Sequence, residues 1–244
     1  MPPRLFVNQP LHAGDILALP AGPARHAQVL RLQPGANIVL FNGDGGEWAA
    51  TIARMGRGEV TVQLGTHAQV DRELPLTVTL ALGVPANERM DAVVEKATEL
   101  GVRAIQPLLC ERSVLRLSGE RAQKKVAHWR AVALAACEQS GRTRVPCIAP
   151  VVALTDWLHE RPPGDAARWM LSLTDARPVA ALERPTAGAI CLSGPEGGLT
   201  ATEESAARAA GFVPVSLGPR VLRADTAPLA LLAHLALSDS GEAA

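Results

Sequence analysis

Two short segments concentrate the residues that can do chemistry. The first is Ser193-Gly194-Pro195-Glu196-Gly197-Gly198-Leu199-Thr200. Glycines here let a ligand approach the backbone, and the segment runs into a helix that Thr200 and Glu203 open as a capping box. The order is not the G-x-G-x-x-G of a dinucleotide site, and it lacks the Gly-Lys-Ser/Thr of a phosphate loop. The second segment is Ser216-Leu217-Gly218-Pro219-Arg220-Val221-Leu222-Arg223-Ala224-Asp225-Thr226. Two arginines and an aspartate stand before a helix whose N-terminus favours anions. By spacing alone, both segments also fit plain structural roles. The first makes a tight strand-to-helix turn. The second is a helix start capped by Asp225 or Thr226, with its arginines in solvent.

The elements around them fall into two grammars. Residues 1 to about 70 read as short strands and turns: Arg4–Val7, Gly14–Leu19, Ala36–Phe41, Glu47–Arg54 and Glu59–Leu64, with a helical piece near Pro23–Leu32. Asn42-Gly43 supplies the positive φ of a hairpin turn. Close-spaced short strands predict a small β-barrel over residues 1–72. From residue 73 onward, near-continuous apolar strands alternate with helices, which predicts a parallel sheet covered on both faces. The strands are Leu76–Val84, Val102–Leu109, Trp169–Leu173, Ala189–Leu192 and Phe212–Leu217. The helices are Asn87–Leu100, Ser118–Ser140, Ala201–Ala210 and Thr226–Leu237, the last tolerating Pro228 in its first turn. In open parallel sheets ligands sit beyond the carboxyl ends of the strands, which is where both segments fall.

Composition excludes several classes. The 244 residues are 48% hydrophobic and 20% charged, so there is enough apolar surface to fold. Apolar stretches of about ten residues are too short to span a bilayer, and the N-terminus has no signal-peptide core, which predicts a cytoplasmic protein with no membrane partner. The 24 Lys and Arg balance 24 Asp and Glu, so a nucleic acid has to be met by a local patch. Aromatics are 3%, with no Tyr, which speaks against a sheet that stacks bases. The four cysteines lack metal-site spacing, so no metal is expected and the thiols read as reduced. Met90, Val93 and Val94 read as core, and His128 and His234 as packing or surface residues on helices.

The two segments also carry a resemblance. Gly194-Pro195-Glu196-Gly197-Gly198-Leu199-Thr200 with Leu217-Gly218-Pro219-Arg220-Val221-Leu222-Arg223-Ala224-Asp225-Thr226-Ala227 resembles the end of the bacterial RsmE family. These are 16S rRNA uridine-N3 methyltransferases of the SPOUT superfamily. Upstream, Pro3–Val7, His26 with Val29-Leu30-Arg31, Glu88–Asp91, Glu95–Val102, Glu111-Arg112-Ser113 and Glu138–Arg142 match in order, so the likeness spans the chain. Two departures stand out. Ala86-Asn87 replaces a Lys-Gly pair common in the family, and Ala224-Asp225-Thr226 replaces Thr-Glu-Thr.

The resemblance implies an N-terminal PUA-like barrel that binds RNA and a C-terminal α/β domain with a trefoil knot, an exception to unthreaded connections. It implies S-adenosylmethionine held in the knot, a homodimer, and a substrate uridine in 16S rRNA of the assembled small subunit. The expected cofactor wall is Leu173, Gly194, Pro195, Glu196, Gly197, Leu217, Gly218, Leu222 and Thr226, with residues 171–175 as a third side. For Glu196, contact with cofactor and capping of a neighbouring helix stand level. The expected RNA contacts are Arg4, His26, Arg31, Arg89 and Arg112, with Arg25 beside the barrel patch. A sulfonium methyl is already activated, so the protein's tasks are alignment and handling of the uracil N3 proton. Arg223 is the expected stabiliser of the anion, Asp225 its orienter ahead of a base, and Arg220 a holder of phosphate or target base. Competing readings are a knotted methyltransferase with another RNA position, a ribosome-assembly RNA-binding protein without catalysis, and a nicotinamide-dependent oxidoreductase.

Overall fold

The computed structural model describes residues 2–56, 58–86, 89–160 and 164–237. The chain divides into two compact units. One holds residues 1–73 and 134–145, the other residues 74–133 and 146–244.

The first unit contains β1 (Arg4–Phe6), β2 (Ile16–Ala18), α1 (Ala21–Val29), β3 (Asn37–Phe41), β4 (Glu47–Met55) and β5 (Val60–Ala68). They form one sheet in the order β1-β3-β4-β5-β2, with β1 parallel to β3 and the other pairs antiparallel. The Asn-Gly signal is realised between β3 and β4, where Gly43 has φ 91° and Asp44 N–H donates to Asn42 Oδ1 at 3.2 Å. The close-spaced strands expected from the sequence are thus gathered in one five-stranded sheet. Among the described residues no pairing joins the edge strands β1 and β2, which are three residues each. β5 also runs four residues past Leu64, where the strand read from the sequence ends, because β4 offers it a partner as far as Glu47↔Ala68. Alternation fills the core with Leu5, Ile38, Leu40, Ile52, Val60 and Val62, none more than 1% exposed.

The second unit contains β6 (Val78–Gly83), α2 (Arg89–Glu99), β7 (Ala104–Leu109), the first part of α3 (Gly119–Ser140), β8 (Cys147–Ile148), β9 (Val152–Ala153), α4 (Leu154–His159), β10 (Ala167–Leu171), β11 (Arg177–Pro178), β12 (Ala189–Ser193), α5 (Ala201–Ala209), β13 (Val213–Ser216) and α6 (Thr226–Leu237). Asn87 and Glu88, which open the expected second helix, lie outside the described residues. The strands form a sheet in the order β11-β13-β10-β12-β6-β7-β8, with β9 also on β7, and every pair is parallel. Buried clusters occupy both faces, one around Leu80, Met90, Val94 and Trp129, the other around Leu108, Met170, Leu192 and Phe212. This double cover is why the strands read as unbroken apolar runs. α6 packs on α2, β12 and β6 and buries Leu231, Leu232 and Leu235, each contributing about 1.5–3 kcal/mol by removal from water.

Two features of this sheet position the site. Because all strands are parallel, the connections leaving β6, β7, β10, β12 and β13 emerge along one edge. β13 is flanked by β10 on one side and by β11 on the other, and β11 lies within the connection from β10 to β12. That connection therefore passes beyond β13 before it returns, so β13 sits between two earlier pieces of chain.

Candidate active site

The edge holds a cleft of about 560 Å³, within the range of small-molecule sites. Its walls come from the segments expected from the sequence: residues 171–174 at the end of β10, 193–199 at the end of β12, and 215–218 and 220–224 with Ala227 at the end of β13. Arg89, Arg112 and Glu204 complete it.

The 194–200 loop is fixed from several sides. Pro195 lies against β6 so closely that a Cβ on Gly83 would stand 2.6 Å from the Pro195 ring. Within the loop, Gly198 N–H donates to Pro195 O at 2.8 Å. Thr200 Oγ1 accepts from Glu203 N at 3.2 Å, and Glu203 Oε2 accepts from Thr200 N at 2.8 Å, the reciprocal capping box. Arg112 Nη1 donates to the carbonyls of Gly197 and Leu199, at 2.9 and 3.3 Å. The N–H groups of Glu196, Gly197 and Leu199 have no hydrogen-bond partner among the described residues, which leaves them to a ligand or water.

Glu196 has a structural employment. Its Oε1 accepts from Ala86 N at 2.9 Å and stands 3.6 Å from Arg89 Nη1. Of the two readings weighed for it, bracing the approach to α2 is the one this geometry carries. The facing wall is held by Ser172, whose hydroxyl accepts from Thr174 N at 3.1 Å and donates to Glu204 Oε1 at 3.0 Å. Ser172 and Glu204 were not singled out in the sequence. A lone Ser past a strand end and a second acid in a helix's first turn carry no signal until the loop and helix are seen together.

In the third wall, Gly218 has φ +103°, a conformation that side chains rarely adopt, and a Cβ there would meet nothing within 4 Å. Its glycine serves the backbone turn along the cleft. At Gly197, by contrast, a Cβ would stand 3.1 Å from Arg112 Cβ, so a side chain there crowds Arg112. Arg220 and Arg223 line the cleft with exposed side chains. The Arg223 carbonyl accepts from Thr226 N at 3.0 Å and Ala227 N at 2.9 Å, so α6 is hydrogen-bonded onto this arginine's own peptide.

Eight of the nine expected cofactor residues line the cleft: Leu173, Gly194, Pro195, Glu196, Gly197, Leu217, Gly218 and Leu222. The ninth, Thr226, does not, although its neighbour Ala227 on α6 does. Asp225 also falls outside the lining residues, and its Oδ1 lies 3.3 Å from Thr226 Oγ1. No bond joins Asp225 to Arg223 among the described residues, so the orienting role expected for it is not built.

Of the expected RNA contacts, Arg89 and Arg112 line the cleft. Three others lie in the first unit. Arg4 is corrected: only 7% exposed, it pairs with Glu47, donates to Arg142 O at 3.0 Å and lies over the Phe41 ring at 5.0 Å. A guanidinium so employed cannot reach a phosphate. His26 Nδ1 stands 3.3 Å from Glu138 Oε2, leaving one ring nitrogen for other partners. Arg31 and Arg25 are exposed.

Comparison with known proteins decides the lineage. The RNA methyltransferase domain family matches residues 72–236, and the RNA methyltransferase PUA domain family matches residues 23–65. A "Ribosomal RNA small subunit methyltransferase E" of Synechocystis is 37% identical over 219 residues, covering 85% of this chain and 68% of that protein. The chain belongs to the ribosomal RNA small subunit methyltransferase E family. The Bacillus subtilis protein of that name is 31% identical, with 85% and 84% covered. The crystal structure of the family's Neisseria gonorrhoeae protein, bound to S-adenosyl methionine, superposes with a TM-score of 0.92 at 37% identity, covering 96% and 97% of the two chains. The PUA family model falls within the first unit, and the methyltransferase family model spans the second unit to residue 236 together with residues 134–145 of the first.

Proposed function

We propose that this chain binds S-adenosylmethionine in the cleft and methylates N3 of a uridine in 16S rRNA of the small ribosomal subunit. The observation that carries the reading is one cleft, about 560 Å³, walled by both glycine-bearing loops and by Arg220 and Arg223. The cleft fits the cofactor by its donor set. Leu171, Leu173, Leu199, Val215, Leu217 and Leu222 give apolar walls for a purine and a thioether chain. The unpartnered N–H groups of the 194–200 loop and the open turn at Gly218 give polar contacts close to the backbone. When bound, the cofactor supplies a methyl group already activated by its sulfonium.

The chain's own residues then have two tasks. The walls fix the direction from which a base can approach, which is alignment. Arg223, with Arg220 beside it, offers fixed positive charge to the uracil anion left when N3 loses its proton. Asp225 takes no part in this scheme, being tied into the start of α6. The PUA-like domain, residues 1–72 by our sequence boundary, supplies RNA contacts through His26, Arg25 and Arg31, and residues 73–244 carry the reaction. The flanking of β13 by β10 and β11 supports a knotted path. The same reading includes a homodimer acting in the cytoplasm. Among the described residues no helix is long and apolar enough to cross a membrane.

The test is transfer of labelled methyl from S-adenosylmethionine to small subunits that lack the modification, followed by nucleoside analysis. We expect 3-methyluridine at one site. A different methylated nucleoside would move the target to another RNA position. Cofactor binding without transfer to any rRNA would favour the assembly-factor reading.

A further inference from the structure

The Glu111-Arg112-Ser113 motif sits in the turn that leaves β7, and each of its residues is committed. Ser113 closes the turn, with its N–H on Cys110 O at 3.1 Å and its Oγ accepting from Cys110 N at 3.0 Å. The Glu111 N–H donates to Glu203 Oε1 at 2.7 Å, on the helix that follows the cleft's glycine loop. The Arg112 guanidinium donates to Gly197 O and Leu199 O, and the stem of the same side chain lies under Gly197, 3.1 Å from where a Cβ would be. Three bonds thus run the same way, from the 111–112 turn to the connection after β12: two from an arginine to loop carbonyls and one from a turn amide to the capping glutamate.

The consequence for the loop follows from peptide geometry. The Gly197 peptide oxygen is on Arg112 while the N–H of the same peptide unit, that of Gly198, is on Pro195 O. The Leu199 oxygen is on Arg112 while its partner N–H, that of Thr200, is on Glu203. Both peptide planes are pinned at each end. Glu196, Gly197 and Leu199 keep N–H groups without a partner among the described residues, and that of Leu199 lies in the peptide unit between the two pinned ones, so its direction is set before any ligand arrives. A donor fixed in advance loses little freedom on binding.

We propose that Arg112 is a positioning residue that pre-sets the glycine loop for cofactor, and not an RNA contact. This rests on the reading of the cleft as the S-adenosylmethionine site. Both bonds are charge-assisted and come from Nη1 at the end of a planar guanidinium, and a lysine ammonium on its flexible stem reproduces them only in part. Arg112 therefore acts on the cofactor through the loop.

The test compares wild type, Arg112→Ala and Arg112→Lys by calorimetric titration with S-adenosylmethionine in the absence of RNA. Thermal unfolding without ligand checks that each variant is folded. We expect Arg112→Ala to weaken cofactor affinity roughly tenfold or more, with Arg112→Lys between it and wild type. With cofactor saturating, the KM for small subunits should stay within about twofold and its salt dependence should not change, because no phosphate contact is lost. Unchanged cofactor affinity together with a raised KM for the subunit and a shallower salt slope would return Arg112 to the RNA interface and overturn the proposal. If wild type itself binds no S-adenosylmethionine, the cofactor reading of the cleft fails first, which is a separate result. Gly197→Ala gives a second check. By crowding the Arg112 stem it should reproduce the loss of cofactor affinity, and full affinity in that variant would count against a loop held by Arg112.

Discussion

Glu47 shows how a single residue ties the first unit to pH. Burial pushes its carboxyl up, but hydrogen bonds from Arg4 and Arg72 outweigh burial and hold it below the ordinary value. A carboxyl lowered in the folded state contributes stability that is full above its unfolded pKa, near 4.3, and is lost as pH falls through the folded value. Acid unfolding followed by circular dichroism should therefore show a stability loss below about pH 4 that Glu47→Gln flattens. An identical acid limb in the variant would mean the pair carries no pH dependence. Arg4→Ala should cost more than Glu47→Gln, because Glu47 keeps only the more exposed Arg72 and the Arg142 carbonyl loses its buried donor. The thiols make the opposite case. Burial raises Cys110, Cys137 and Cys191 to about 12. Their folded forms keep protons that the unfolded chain sheds near 8.5, so stability should fall between about pH 9 and 12. At neutral pH a thiol reagent should label exposed Cys147 quickly and the other three only on denaturation. Fast labelling of more than one thiol would show that the cores open readily. Arg4 also marks a limit of sequence reading. Its type and position near the N-terminus suit an RNA patch, while its partners Glu47 and Arg142 are 43 and 138 residues away, so its burial is a fact of tertiary structure.

Three helices end in the same hydrogen-bond pattern. After α2, Val102 N reaches Ala97 O and Gly101 N reaches Thr98 O. After α5, Phe212 N reaches Ala207 O and Gly211 N reaches Arg208 O. After α1, Leu32 N reaches Ala27 O and Arg31 N reaches Gln28 O. The pivot of this motif has positive φ and favours glycine, as at Gly101 and Gly211, yet α1 turns on Arg31 at φ 53°. An arginine there costs about 1 kcal/mol relative to glycine, a cost consistent with a side chain kept for contact with RNA. Arg31→Gly should raise the unfolding free energy by about 0.5–1 kcal/mol and at the same time weaken RNA binding. A gain in stability with RNA affinity intact would remove Arg31 from the interface. At this scale most long elements are legible. The helix Thr226–Leu237 has the bounds read from its sequence, and Thr200 with Glu203 caps α5 as the residue types require. The pieces without a sequence signal are β8, β9 and β11, two residues each, and the six-residue α4. They are too short to show a period, and strands of that length exist only because β7 or β13 offers an edge.

For the molecule as a whole, zero net charge means that RNA is met by local patches and not by a general field. By spacing alone the glycine loops fitted a tight turn and a helix start as well as ligand walls, and it was the family resemblance that pointed to a cofactor. The assignment of residues 134–145 to the first unit was not legible, since α3 reads as one continuous helix and its far end is held there by long-range pairs such as Arg142 with Glu73. The cleft proposed for the cofactor, in contrast, is lined entirely by residues of the second unit. Ligand binding should therefore enter the stability of that unit by mass action. S-adenosylmethionine at a hundredfold excess over its Kd adds about 2.7 kcal/mol, which for a unit of this size corresponds to an unfolding midpoint higher by about 5–10 °C. Gly218→Val places a branched side chain at φ +103° and should lower the ligand-free midpoint slightly through backbone strain. The decisive quantity is the shift caused by cofactor within each protein, because it cancels that strain. We expect the shift to vanish in the variant, since the turn at Gly218 is where the third wall runs open along the cleft. A shift preserved at full size would place the cofactor away from this wall, and with it away from Arg220 and Arg223.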